Sequence, residues 1–160
     1  MAQSVNEISK DMEGCVMLAL STFRRSEQAI DVALSRSREG KKLMIVYVID
    51  INMARYLVGI EEEFIVGLKD TCEEELLEKA EKEAKEHVAA IAGNADKLGI
   101  QTKALIQRGR FAIITLDVVK QVKPSLIVTT RSKRPEWVKK FFGAPVDELI
   151  NKAGCPVVAV

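Results

Sequence analysis

Histidine is nearly absent from this chain, with His87 the single one in 160 residues. A Ser-His-Asp triad or a histidine-based zinc site therefore has almost no material. Cysteine is scarce and odd in number: Cys15, Cys72 and Cys155 lie far apart, and no pair has metal-ligand spacing. That pattern fits thiols kept reduced, with Cys15 and Cys155 packed in strands, rather than a disulfide framework. No apolar run reaches the roughly 20 residues needed to cross a bilayer. The opening MAQSVNEISKDME is polar and acidic, unlike a secretory leader. These absences together predict a cytoplasmic protein.

A dominant charge of one sign is missing too. Lys plus Arg number 24 and Asp plus Glu 23, a net of +1, which speaks against a nucleic-acid coating protein. The balance hides a segregation. Glu61 to Glu86 holds eleven acids against four bases, a net of −7, and the remainder carries +8. The densest basic stretch is Arg131 to Lys140, with five bases and one acid.

What is present is a core. The chain is 48% hydrophobic and 29% charged, the composition of one globular domain that buries its own interior. Residues 1–13 lack periodicity and read as an N-terminal extension to a domain at 14–160. Residues 15–21 (CVMLALS) and 43–49 (LMIVYVI) are continuous apolar runs, fit for strands buried on both faces. Between them Ser26 is the expected N-cap of a helix with Ala29, Ile30, Ala33 and Leu34 at helical spacing, ended by Gly40. Residues 50–69 read as a long irregular excursion. Thr71 with Glu74 then forms a capping box, and Leu77, Ala80, Ala84, Val88, Ile91, Ala95 and Leu98 set one apolar stripe along a long helix that Gly99 terminates. Glu78–Lys82 and Glu81–Lys85 are pairs of helix-supporting polarity. His87 is expected on the solvated side. A strand at 101–107, a helix at 111–122 bearing Ile113, Ile114, Leu116, Val118 and Val119, a strand at 125–130, short helices from Pro135 and Pro145, and a strand at 155–160 complete the chain.

Strand and helix alternate, and the strands are apolar. That predicts an α/β fold, an open five-stranded parallel sheet with helices on both faces. Ligands in such sheets bind at the carboxyl ends of the strands, near the switch in strand order. The residues of interest thus follow strand one (Ser21, Thr22), strand two (Val48, Asp50) and strand four (Thr129 to Lys133).

The stretch SLIVTTRSKRPEWVKKFFGAPVDELINKAGCPVVAV resembles the universal stress protein family, whose members close on a CPVLVV-like strand. MIVYVID resembles the family's second strand, and Ser26 and Ala29 stand at positions usual for its first helix. The resemblance covers about residues 15–160 and implies a Rossmann-like, adenine nucleotide α-hydrolase-like sheet of order 3-2-1-4-5. ATP-binding members carry Gly-x-x-Gly-x9-Gly-Ser/Thr, in which glycines let backbone N–H groups approach phosphate. Here that register falls on Thr130, Lys133, Gly143 and Ala144, so one position of four is kept. The family's aspartate after strand one is Ser21 here, and the valine that lines the adenine pocket has a counterpart in Val48.

The resemblance therefore implies a non-enzymatic regulatory or stress-response protein with no cofactor expected. It also implies a homodimer paired through the C-terminal edge strand, where a bare apolar edge would be a hazard. Nucleic acid and membrane are not expected partners. The alternative is an adenine-nucleotide binder, taking ATP or AMP, that uses Val48, Gly143 and side-chain charge from Arg131 and Lys133 in place of backbone donors. Each site residue also has a plainer reading. Arg131, Lys133 and Arg134 suit a solvated basic loop, Ser21 and Thr22 suit the turn into the first helix, and Trp137 with Phe141 and Phe142 suits packing. An ATP-using enzyme is disfavoured, because no glycine-rich phosphate loop follows strand one, where the chain reads LALSTFRRS.

Overall fold

The computed structural model describes residues 10–22, 24–38, 40–51, 69–131 and 145–160, without the side chains of 69–73 and 145. Among these residues nine elements follow in order: β1 (Val16–Ser21), α1 (Glu27–Ser37), β2 (Leu43–Asp50), α2 (Lys69–Lys97), β3 (Thr102–Gly109), α3 (Phe111–Val122), β4 (Leu126–Thr129), α4 (Pro145–Lys152) and β5 (Val157–Ala159). The strands form one parallel sheet of order β3-β2-β1-β4-β5, so the chain reverses its direction of travel between β1 and β4. Both the fold class and the strand order are those expected.

Continuous apolar runs become central strands because only a sheet covered on both sides keeps every side chain from water. All positions of β1 and β2 are buried. Alternation divides them between two cores. Leu18, Leu20, Ile45 and Tyr47 pack with Ala29, Ile30 and Ala33 of α1 and the Leu77–Ala95 stripe of α2. Met17, Ala19, Met44, Val46 and Val48 pack with Phe111, Ile114, Val118 and Val122 of α3 and Leu149 of α4. Met12, within the segment read as an extension, is also buried in this second core.

Local signals explain most element ends. Ser26 accepts the Ala29 N–H through Oγ at 3.2 Å, the expected N-cap. Gly99 takes φ +72 beyond α2, a left-handed geometry that glycine adopts without a Cβ penalty. Strand β3 runs two residues past its expected end because β2 continues to Asp50, which pairs with Gly109.

Several expectations are corrected. Helix α2 already includes Lys69, so Thr71 lies inside it and is not its cap. The Glu74 carboxylate is drawn to Arg108 on β3, at 3.1 Å, instead of reaching back toward the helix start. Arg108 also holds Glu81 at 3.0 Å and so ties α2 to the sheet edge. Leu98 falls beyond the helix and is exposed, while buried Ile100 closes the stripe. Ile113 is 60% exposed, because the inward face of α3 is set by Phe111, Ile114, Val118 and Val122. Of the two helix pairs, Glu81–Lys85 forms at 3.6 Å, and no ion pair joins Glu78 to Lys82 among the described residues.

His87 is not a solvated histidine. It is half-buried with its ring against Tyr47, the centroids 6.2 Å apart and tilted by 53°. Burial, helped by the Arg25 charge, holds its pKa below the ordinary histidine value. The folded state thus favours the neutral ring. The stabilisation is present above the unfolded pKa of about 6.5 and is lost as pH falls through it, because the unfolded chain binds the proton more readily. Urea denaturation should therefore show stability falling between about pH 7.5 and pH 5.5. His87→Gln should flatten that slope; an unchanged slope would assign it to other groups.

Candidate functional site

The crevice at the carboxyl ends of β1 and β2 is built by a tight reversal of the chain. Ser21 and Arg24 exchange backbone hydrogen bonds of 3.1 and 3.0 Å, so the strand folds back on itself before Ser26 starts α1. Thr22 extends the ladder with β2. Its N–H donates to the Val48 carbonyl at 3.2 Å, and its Oγ1 accepts the Asp50 N–H at 3.3 Å. The hydroxyl that could greet a ligand thus completes the backbone bonding of a strand end.

Side chains from three elements converge there. Ser21 continues the Met17–Ala19 side of β1, and Asp50 continues the Val46–Val48 side of β2, so both belong to the face covered by α3. Phe111 opens α3 directly after Gly109 and Arg110. Gly109 has φ +156, and a Cβ there would collide with the Ile114 side chain, so this turn demands glycine. The Arg24 guanidinium lies over the Phe111 ring, 4.3 Å from its centroid, and Arg24 Nη1 donates to Ser21 Oγ at 3.5 Å. Arg24 is 1% exposed, Phe111 3%, Ser21 and Val48 0%, and Asp50 6%. A buried guanidinium stacked on an aromatic face gains on the order of 2 kcal/mol from that contact.

The carboxyl end of β4 is organised differently. Thr129 Oγ1 donates to the Ala19 carbonyl at 2.8 Å, tying β4 to β1. Thr130 Oγ1 donates to the Val160 carbonyl, tying it to the end of β5. Arg131 is exposed, and its Nη1 stands 3.6 Å from Asp147 Oδ1 in the first turn of α4. That weak surface pair is worth at most a fraction of the roughly 1 kcal/mol typical of its kind.

Of the sequence-selected residues, Ser21, Thr22 and Val48 come together at the β1–β2 end. Thr130 and Arg131 stand at the β4 end. Lys133, Gly143 and Ala144, with Arg134, Trp137, Phe141 and Phe142, lie outside the described residues. Sequence reasoning missed Arg24, to which it gave no role. The available signal was its place directly after the first strand, on the ligand side of a parallel sheet.

The Ser21 hydroxyl lies against the Arg24 guanidinium, and the Asp50 carboxylate is buried on the same face of the sheet. Among the described residues no group of three or more His, Cys, Asp or Glu side chains could hold a metal ion. Cys15 and Cys155 are free thiols flanking the other, amino-terminal end of the sheet. Burial pushes the Cys15 thiol up to about 12 and that of Cys155 in the same direction.

The profile of the universal stress protein family matches residues 16–160. The chain belongs to that family. Solved structures agree on the fold. A universal stress protein from Lactobacillus plantarum superposes with a TM-score of 0.68 at 18% identity, covering 92% of this chain and 98% of its own. A universal stress protein from Archaeoglobus fulgidus in complex with dAMP gives 0.54 at 16% identity, covering 92% and 98%. Another, solved in complex with cAMP, gives 0.54 at 12% identity, covering 92% and 97%. No curated protein sequence matched the chain.

Within this universal stress protein, Thr22 is a structural residue of the site, which can be measured. Thr22→Val keeps the shape and removes the acceptor for the Asp50 N–H. It should cost about 1 kcal/mol in urea denaturation. No loss of stability would return Thr22 to the ligand-facing candidates.

Proposed function

We propose that this universal stress protein is a non-enzymatic regulatory or stress-response member of its family that does not hold ATP in the pose of ATP-binding relatives. The carrying observation is that Ser21 and Val48, two of the positions at which the family resemblance places nucleotide contacts, are 0% exposed. The β4 end supports the same reading. The Thr130 side chain, where the nucleotide motif begins with glycine, is bound to the Val160 carbonyl, and Ser21 supplies no carboxylate where the resemblance places the family's aspartate. Calorimetric titration of the full chain with ATP and magnesium should show no saturable binding at micromolar concentrations. Magnesium-dependent micromolar binding would overturn the reading.

A second reading has its own support, since universal stress proteins of the same fold have been solved with cAMP and with dAMP. In it, Val48, Gly143, Arg131 and Lys133 would hold AMP or ATP, with guanidinium and ammonium charge in place of glycine backbone donors. Arg131 is exposed, and its ion pair among the described residues is a weak surface one with Asp147. A nucleotide carried through purification and released on denaturation, identified by mass spectrometry, would favour this reading. Unchanged affinity after the paired changes Arg131→Glu and Lys133→Glu would remove the proposed charge role.

We further infer a homodimer paired through β5. In parallel pairing the β4 side of β5 is bonded through residues 156 and 160, with the Pro156 carbonyl accepting from Ile127 and the Val160 N–H donating to Thr129. The N–H and carbonyl groups of Val157 and Ala159 then point to the outer edge, which invites a second strand. Ala159→Pro removes one outward donor and leaves the β4 ladder intact. Light scattering coupled to size exclusion should show a dimer for the wild type and a shift toward monomer for Ala159→Pro. A wild-type monomer would refute the interface.

A further inference from the structure

We propose that Arg24 is a built-in occupant of the crevice at the ends of β1 and β2, filling the space a purine ring would take and keeping this site closed to nucleotides. The proposal rests on the reading above that the usual nucleotide pose is not used, and it names the device responsible.

Three observations converge. First, the reversal at Ser21–Arg24 is closed by two backbone hydrogen bonds, which hold the root of the Arg24 side chain directly over the end of β1. Second, the side chain lies inward. It is 1% exposed and places its guanidinium carbon over the Phe111 ring, 4.3 Å from the centroid, with Nη1 at 3.5 Å from Ser21 Oγ. A flat, delocalised cation on an aromatic face makes the stacking contact that a nucleobase makes with such a ring. Third, the residues beneath are sealed: Ser21, Val48 and Phe111 are all buried, and all belong to the core on the α3 side of the sheet. In an open parallel sheet this is the ligand-binding end. A purine that reached Ser21 would have to displace the arginine held against it.

This role differs in sign from that of an anion-binding arginine. If Arg24 attracted phosphate, shortening it would weaken binding of an anionic nucleotide. If it occupies the pocket, shortening it strengthens binding even though a positive charge is lost. An occupant that leaves the site open in about 1% of molecules depresses apparent affinity about a hundredfold.

The experiment titrates AMP, which asks little of the phosphate loop, into the full-length wild type, Arg24→Ala and Arg24→Met by calorimetry. Circular dichroism and thermal melting confirm that each is folded. Arg24→Ala should bind AMP about a hundredfold more tightly than wild type. Arg24→Met, which keeps length and bulk without charge, should remain closed. Arg24→Ser, which keeps a polar group beside Ser21 Oγ, is the truncation to use if Arg24→Ala does not fold. Folded truncations with no gain over a non-binding wild type would overturn the occupant and leave the broader reading standing. Tight AMP binding by the wild type would overturn both. Equal gains in Arg24→Met and Arg24→Ala would also overturn the proposal, because charge rather than volume would then hold the site shut.

Discussion

Strand β1 must satisfy its backbone in complete absence of water, and the rest of the molecule is arranged around that requirement. Its six residues are all buried, so every N–H and carbonyl needs a partner within the sheet. Pairing with β2 from Val16↔Leu43 to Ser21↔Val48 meets half of the need, and β4, in register from Val16↔Leu126, meets the other half near the strand's start. Because β4 stops pairing at Leu18, the last residues of β1 find partners elsewhere. Thr129 Oγ1 donates to the Ala19 carbonyl, and the Ser21–Arg24 reversal exchanges two backbone bonds. The crevice is thus where the ladder runs out and substitutes take over.

The substitutes determine what the crevice can be. A chain that turns back at Ser21 in order to bond its own backbone brings a long side chain over the strand end. Phe111, arriving from α3, gives that side chain an apolar, electron-rich surface to lie on. The same economy applies at Thr22 and Thr130, whose hydroxyls bind the Asp50 N–H and the Val160 carbonyl. These candidate ligand contacts of a linear reading also carry backbone hydrogen bonds at the strand ends. The charge segregation sorts in a similar way. Part of the acidic run on α2 is drawn to Arg108, which fastens the longest helix to the β3 edge, while Glu75, Glu78, Glu83 and Glu86 face water.

Most of the architecture was legible from the residues. The apolar runs at β1 and β2, the Ser26 cap, the stripe from Leu77 to Ala95 and the stop at Gly99 each rest on local chemistry, and local chemistry is what a sequence displays. The errors share one cause. Thr71 with Glu74 is a sound capping box until Arg108, distant in the chain, takes the glutamate. Ile113 and Leu98 are apolar at plausible spacing, yet one lies on the wet face of α3 and the other beyond the end of α2. His87 sits on a charged helix, and only the nearness of Tyr47 makes it half-buried. Topology alone placed Ser21, Thr22 and Val48 at the end of β1 and β2, but it did not show that Ser21 and Val48 are fully buried.

The sequence by itself therefore determined the order of elements, the parallel sheet and the family. Period-two and period-3.6 patterns, caps and glycines act over a few residues, and continuous apolar strands leave a sheet no alternative to being covered on both faces. Only the tertiary structure decided what stands at the end of β1. Whether an arginine after a strand points to water or lies buried on a ring depends on Phe111, delivered by a helix far along the chain, and no local pattern carries that information.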